Sequence, residues 1–167
     1  MIAVISLGIM LLLMLVELRI SQRNERMLLG HGAYQPPDPV YALMRIVYPG
    51  TFVVMAIEGA LRPEFSSGFF VAGVVILAAG KLMKAWAIGT LGERWTYRVF
   101  VVPGAPLVRS GPYRWMRHPN YIGVIGELVG FALLVEARVT GPVAVLVFSE
   151  LLRRRIRAEE QALGLSR

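Results

Sequence analysis

The sequence predicts an all-α integral membrane protein of about five transmembrane helices. Three observations predict it. The 167-residue chain is 56% hydrophobic and only 17% charged, with a mean hydropathy of +0.58, against apolar usage of roughly 45–50% in ordinary soluble domains. Apolar stretches alternate with breaks marked by Gly and Pro. The basic residues sort to one side of those stretches: with the N-terminus placed outside, sixteen of the eighteen Lys and Arg fall on inner segments, leaving only Arg62 and Arg138 outside.

The elements follow in order. Residues 2–16 are apolar apart from Ser6 and Gly8, and Leu18 extends the run. The run lacks a basic leader and a small-residue cleavage pattern, so it reads as a retained helix rather than a signal peptide. Residues 17–26 are polar but keep a helical pattern. Gly30 to Pro39 is a loop, broken by Gly30, Gly32, Pro36, Pro37 and Pro39. The second span covers residues 42–61, with a kink or break at Pro49-Gly50. A turn at Arg62-Pro63-Glu64 and Ser66-Ser67-Gly68 leads into the third span, residues 69–91. A polar segment follows from Arg94 to Pro119. Within it, residues 99–102 and 107–108 flank Pro103-Gly104-Ala105-Pro106 as a small hairpin. The fourth span is residues 121–135. Thr140-Gly141-Pro142 restarts the chain, and the fifth span is residues 143–152. The last two are short for a bilayer that needs about 20 residues. The final helix runs on through four arginines to Leu163 and stops at Gly164, a C-terminal stop signal. The whole, 1–167, forms one domain: helices 1–3 over 1–92, a cytosolic connector over 93–120, and helices 4 and 5 with a cytosolic extension over 121–167.

Composition also excludes. With no Cys there is neither a disulfide nor a Cys metal site, and two His are too few for a His-built centre, so no metal is expected. The net charge of +7 is explained by membrane topology rather than nucleic acid, because a nucleic-acid surface has no reason to sort charge by side.

The densest polar and aromatic run is Gly111-Pro112-Tyr113-Arg114-Trp115-Met116-Arg117-His118-Pro119-Asn120-Tyr121-Ile122-Gly123. Gly-Pro opens a turn. Pro119 suits the first position of a helix, where a missing N–H costs nothing. His118 then lies at a helix N-terminus, which favours an anionic group. The short link between the last two helices makes them antiparallel and brings His118, Tyr121 and Gly123 towards Arg155, Glu159 and Glu160. Glu159 and Glu160 sit near a helix C-terminus, where carboxylates oppose the dipole. Either they belong to a solvated tail, with Arg155 and Glu159 paired one turn apart, or they hold ligand hydroxyl or amino groups. Glu127 lies about 12 Å into the fourth helix, a depth at which a carboxylate points to function; the alternative is a buried pair with Lys81 or Lys84. Glu150 is answered by Arg153 and Arg154, Glu58 is structural at the outer surface, and His31 is exposed in its loop. Trp86, Trp95, Trp115, Tyr97 and Tyr113 line either a pocket or an interfacial belt.

Gly-Pro-Tyr-Arg (111–114), Arg-His-Pro-x-Tyr-x-Gly (117–123) and a final helix with Arg155 and Glu159-Glu160 together resemble the isoprenylcysteine carboxyl methyltransferase family, related to membrane phospholipid methyltransferases. Glu17, Arg19, Arg23-Asn24-Glu25 and the Gly30–Gly32 region are similar to its short bacterial members, some of which methylate alkylpyrones or phenolic lipids. Where those members often carry His near the start of the second span, this chain has Tyr41 and Tyr48, which bears on the acceptor rather than the donor. The resemblance implies S-adenosyl-L-methionine as methyl donor, bound on the cytosolic side, and a lipophilic or prenylated acceptor entering from the membrane lipids. It implies a cofactor pocket of Arg117, His118, Pro119, Tyr121, Gly123, Glu159 and Glu160. Arg155 would orient cofactor or acceptor, and Glu127 or His118 would serve as base if the acceptor is a phenol or enol. Gly123 would let a ligand approach the helix backbone. Two other classes compete: a nicotinamide-dependent membrane reductase of related core, and a non-enzymatic small transporter or scaffold. The reductases look different at the C-terminus, where this chain lacks their longer Cys- and Tyr-containing tail, and a transporter or scaffold does not account for Arg-His-Pro-Asn-Tyr beside Glu-Glu.

Overall fold

The computed structural model describes residues 1–62 and 66–164. Among them five α-helices form: α1 (Ile2–Gly30), α2 (Tyr41–Leu61), α3 (Ser67–Leu91), α4 (Pro119–Leu134) and α5 (Thr140–Ala162). Two 3-10 turns, Gly92–Arg94 and Gly111–Arg114, interrupt the connector. The expected turn at Pro63-Glu64 and the last three residues lie outside the described part.

Three helices are long and apolar enough to cross a membrane: α1, α2, and α3 continued through its 3-10 turn to Arg94. That corrects the expectation of five full spans. α4 is apolar but has only 16 residues, about 24 Å at 1.5 Å per residue. α5 has 23 residues, but its second half carries the arginines and glutamates. Large apolar side chains such as Ile9, Leu12, Ile46, Val54, Val75 and Leu82 are exposed on α1–α3, as expected for faces against lipid.

The closest crossing is α3 on α4, and small residues make it. A Cβ on Gly80 would lie 2.8 Å from the Glu127 backbone N and 2.9 Å from the Gly123 carbonyl. Hydrogen there lets the two backbones meet, the usual device where lipid removes the hydrophobic drive between helices. An aromatic knot closes the other side: Tyr48 and Phe52 of α2, Phe131 of α4 and Phe148 of α5 pack edge-to-face or tilted at centroid distances of 4.9–5.1 Å.

α2 runs through Pro49 without a break, which removes one of the two alternatives expected there. α5 begins at Thr140, with Pro142 inside its first turn, where the missing donor is harmless. Glu58 explains that start. Its carboxylate accepts from Val139 N (3.1 Å), Thr140 N (2.7 Å) and Thr140 Oγ1 (2.6 Å), so α2 caps α5 across space. At the same end Glu136 accepts from Ser66 N at the start of α3.

The expected hairpin does not form, and no strand occurs among the described residues. Val101 instead makes an isolated antiparallel bridge to Tyr34, N–H to O at 3.1 and 3.0 Å. Pro103 and Pro106 lack the donors a second strand would need, while the α1–α2 loop offers a free backbone.

Candidate functional site

The connector end of the bundle is organised by the 3-10 turn at Gly111–Arg114 and the α4 start. Gly111 has φ +53°, a left-handed value that glycine adopts without strain, and it packs on Thr90. His118 is the N-cap of α4 and Pro119 its first residue. The α4 start therefore faces the end of α5. Tyr121 Oη donates to Glu159 Oε2 at 2.6 Å. His118 Nε2 lies 3.3 Å from Glu160 Oε1, and Nδ1 lies 3.8 Å from Glu159 Oε2. The His118 ring stacks on Tyr121 at 5.5 Å. Arg117 reaches Glu160 at 3.5 Å from an exposed position.

These groups border a cavity of about 600 Å³. Its walls include Arg94, Trp95, Arg98, Arg109, Tyr113 and Arg114 from the connector, Arg117, His118, Asn120 and Tyr121 at the α4 start, Arg155 and Glu159 from α5, and Leu163 just past its end. The charged groups of the wall are mostly cationic, with Glu159 as its one carboxylate among the described residues. Burial raises the Tyr113 phenol, and the Glu159 charge raises it further. The hydrogen bond from His118 lowers Glu160 below its usual range.

Arg155 is 4% exposed. It donates to Asp38 and to the Tyr97 carbonyl, and its guanidinium lies 5.6 Å from the Tyr41 ring centroid. It is thus an anchored cation on the cavity wall, not the i,i+4 partner of Glu159 that a solvated tail would make it.

Not every expected residue faces the cavity. Glu160 touches His118 and Arg117 from outside the wall, and Pro119 is buried as the first residue of α4. Gly123 faces α3: a Cβ there would meet the Gly80 carbonyl at 2.9 Å and Lys84 Cβ at 3.0 Å. Its missing side chain serves the packing of α4 on α3.

Glu127 is completely buried. It lies 3.1 Å from Lys81 Nζ and 3.4 Å from Lys84 Nζ and accepts from the Tyr48 hydroxyl. Glu17 of α1 joins the same group, 3.0 Å from Lys81 and 2.6 Å from Lys84, and accepts from Tyr97 Oη at 3.0 Å. Two carboxylates and two ammonium groups thus neutralise one another inside the bundle. The buried-pair alternative for Glu127 is the arrangement found, doubled by a second acid, and Glu127 is not on the cavity wall.

The aromatics divide. Trp95 and Tyr113 line the cavity and Tyr97 is held beside it. Trp86 and Trp115 are exposed, with ring centroids 6.0 Å apart and tilted, at the level of an interfacial belt. Sequence reasoning missed Asp38 and Asn120. Asp38 carried a signal, a lone carboxylate locked between prolines in Pro36-Pro37-Asp38-Pro39. Asn120, whose Oδ1 accepts from Trp95 Nε1 at 3.3 Å, stood inside the motif without a stated role.

Known proteins share this sequence pattern. The chain is 32% identical over 147 residues to the uncharacterized protein YpbQ of Bacillus subtilis, covering 88% of each chain. It is 29% identical over 161 residues to an uncharacterized protein of Haemophilus influenzae, covering 96% of this chain and 94% of that one. It is 28% identical over 95 residues to the protein-S-isoprenylcysteine O-methyltransferase of Saccharomyces cerevisiae, covering 56% of this chain and 40% of the yeast protein. No solved structure matches. The profile described as the isoprenylcysteine carboxyl methyltransferase (ICMT) family matches residues 71–164, the stretch that holds the connector, the α4 start and the end of α5. The chain belongs to the isoprenylcysteine carboxyl methyltransferase family.

Proposed function

We propose that this membrane protein transfers a methyl group from S-adenosyl-L-methionine to a lipophilic acceptor at the cytosolic membrane face, with the N-terminus outside. The acceptor is an isoprenylcysteine-type carboxylate or a phenolic or pyrone hydroxyl. The observation that carries this reading is the junction of the α4 start with the α5 end around one cavity, through Tyr121–Glu159 and His118–Glu160.

The cavity residues suit the donor. About 600 Å³ falls within the roughly 300–1,000 Å³ of small-molecule sites. Glu159, held in place by Tyr121, accepts hydrogen bonds from amino or hydroxyl groups. The α4 N-terminus and the arginines around it suit a carboxylate, and Trp95 and Tyr113 present flat surfaces to an aromatic base. When bound, S-adenosylmethionine supplies an electrophilic methyl on a sulfonium that is already a good leaving group.

What the chain must add is position, which alone accounts for several kcal/mol of a barrier. Tyr121 and Glu159 tie α4 to α5 so that the donor-side wall is rigid. Arg155 places a buried positive charge beside it, complementary to an anionic acceptor. His118, on the wall and within reach of two carboxylates, is the group placed to take a proton if the acceptor is a hydroxyl. Exposed apolar faces on α1–α3 suit an acceptor arriving through lipid.

Calorimetry with S-adenosylhomocysteine on purified protein tests the donor, comparing wild type with Glu159→Ala and His118→Ala. Binding by wild type and weaker binding by both variants is the expected result. Wild type that binds nothing sinks the reading. Mass spectrometry of lipid extracts with and without the protein, searching for a gain of one methyl, then identifies the acceptor.

A further inference from the structure

Three residues of α1, Glu17, Ser21 and Asn24, recur at helical spacing and share one buried face. Each grips the start of the connector. Asn24 Nδ2 donates to the carbonyls of Gly92 (3.0 Å) and Trp95 (2.8 Å). Ser21 Oγ accepts from Tyr97 N at 2.8 Å. Glu17 accepts from Tyr97 Oη, and Lys81 and Lys84 hold Glu17 itself. Tyr97 is therefore fixed at both its backbone and its hydroxyl, and its carbonyl accepts from Arg155.

Asp38 holds the same guanidinium from the other side. Its side chain is 1% exposed. One oxygen accepts from Tyr41 N at 3.1 Å and the other accepts from Arg155. An arginine side chain is long and loses much rotamer freedom on ordering; if its acceptors order it beforehand, a ligand need not. Glu17, Ser21, Asn24 and Asp38 all precede residue 71, where the family match begins.

We propose that Asp38 and Tyr97 are positioning residues of the cavity, aiming the Arg155 guanidinium, with the Glu17–Ser21–Asn24 stripe of α1 fixing Tyr97. This rests on the cavity being the donor site. The amino-terminal helices then complete a pocket wall that the family-matching segment does not build alone.

The test uses the full chain in lipid nanodiscs, with Asp38→Asn, Tyr97→Phe, Arg155→Ala and the Asp38→Asn/Arg155→Ala double variant. Two quantities are measured: S-adenosylhomocysteine affinity, and hydrogen exchange of amides 94–98 without ligand. Asp38→Asn and Arg155→Ala each weaken binding by about tenfold, the scale of a lost hydrogen bond to a charge. The double variant is no worse than Arg155→Ala, because Asp38 acts only through Arg155. Amides 94–98 exchange faster in Asp38→Asn and Tyr97→Phe while α2–α4 keep their protection. Additive losses in the double variant, or unchanged exchange at 94–98, overturn the proposal. Should Asp38→Asn lose protection everywhere, Tyr97→Phe, which removes one oxygen, decides it. If wild type binds no S-adenosylhomocysteine, the donor reading fails and the exchange measurement alone decides the positioning.

Discussion

The Tyr121 hydroxyl of α4 donates to the Glu159 carboxylate of α5 at 2.6 Å, joining residues 38 positions apart in the chain. This bond sets the wall of the cavity on which the functional proposal stands. Tyr121→Phe keeps the ring stacked on His118 and removes only the donor. S-adenosylhomocysteine should then bind about tenfold more weakly, the scale of a lost bond to a charged acceptor, with helical circular dichroism unchanged. Equal affinity in both proteins would place the ligand elsewhere.

The four-charge cluster predicts a non-additive pair. Glu127→Leu leaves Lys81 and Lys84 sharing Glu17 alone, one buried positive charge in excess, and should cost about 3–5 kcal/mol, as breaking a buried pair does. Lys84→Met in the same chain removes the excess charge and leaves Glu17 with Lys81 at 3.0 Å. The double variant should recover most of the loss in thermal unfolding in detergent. A double variant as unstable as Glu127→Leu rules out charge balance as the reason these groups are buried together.

The glycine seam predicts a position-dependent cost. Gly80→Leu places a Cβ within 3 Å of the α4 backbone and must separate the helices. It should cost about 1–3 kcal/mol or more. At Gly8 a Cβ would find nothing within 4 Å, so leucine there should be accepted without loss. Similar melting temperatures for the two variants would contradict the close α3–α4 crossing.

Glu58 caps α5 from α2. Glu58→Ala leaves Val139 N and Thr140 N without their acceptor and should cost about 1–2 kcal/mol. Amides 139 and 140 should lose hydrogen-exchange protection first. Protection unchanged at those two amides would mean that water replaces the carboxylate at no cost.

The His118–Glu160 contact predicts an acid limit. The hydrogen bond from His118 outweighs partial desolvation and holds the Glu160 carboxyl below its ordinary range. A lowered acid contributes stability above the ordinary carboxyl pKa and loses it as pH falls through the lowered value. The α4–α5 junction should therefore hold at neutral pH and weaken only in acid below the ordinary range. His118→Ala should move the Glu160 titration, followed by carbon NMR of labelled glutamate, back upward. A titration that stays put would remove His118 as the cause.

Much of the fold is legible in the sequence because its signals are local. Helix number follows from apolar runs and breakers, and Pro119 and Gly164 mark helix ends by backbone rules alone. That the α4 start meets the α5 end follows from the short link between them. The start of α5 falls ahead of its apolar run because the cap comes from Glu58, 82 positions from Thr140. The hairpin fails because Val101 finds its partner in Tyr34, outside the segment. The packing of Gly123 carries no local signal because its partner, Gly80, lies on another helix.

What the sequence determined by itself is a set of helices, the sorting of charge between their ends, and the adjacency of two motifs in a short antiparallel pair. These rest on periodicity, composition and chain length, which act within a few turns. Only the tertiary structure decided that Glu127 is neutralised among Lys81, Lys84 and Glu17, and that Arg155 is held by Asp38 from 117 residues away. A buried charge takes whichever counter-charge the packing brings within about 4 Å, and that choice is made by helices meeting in space.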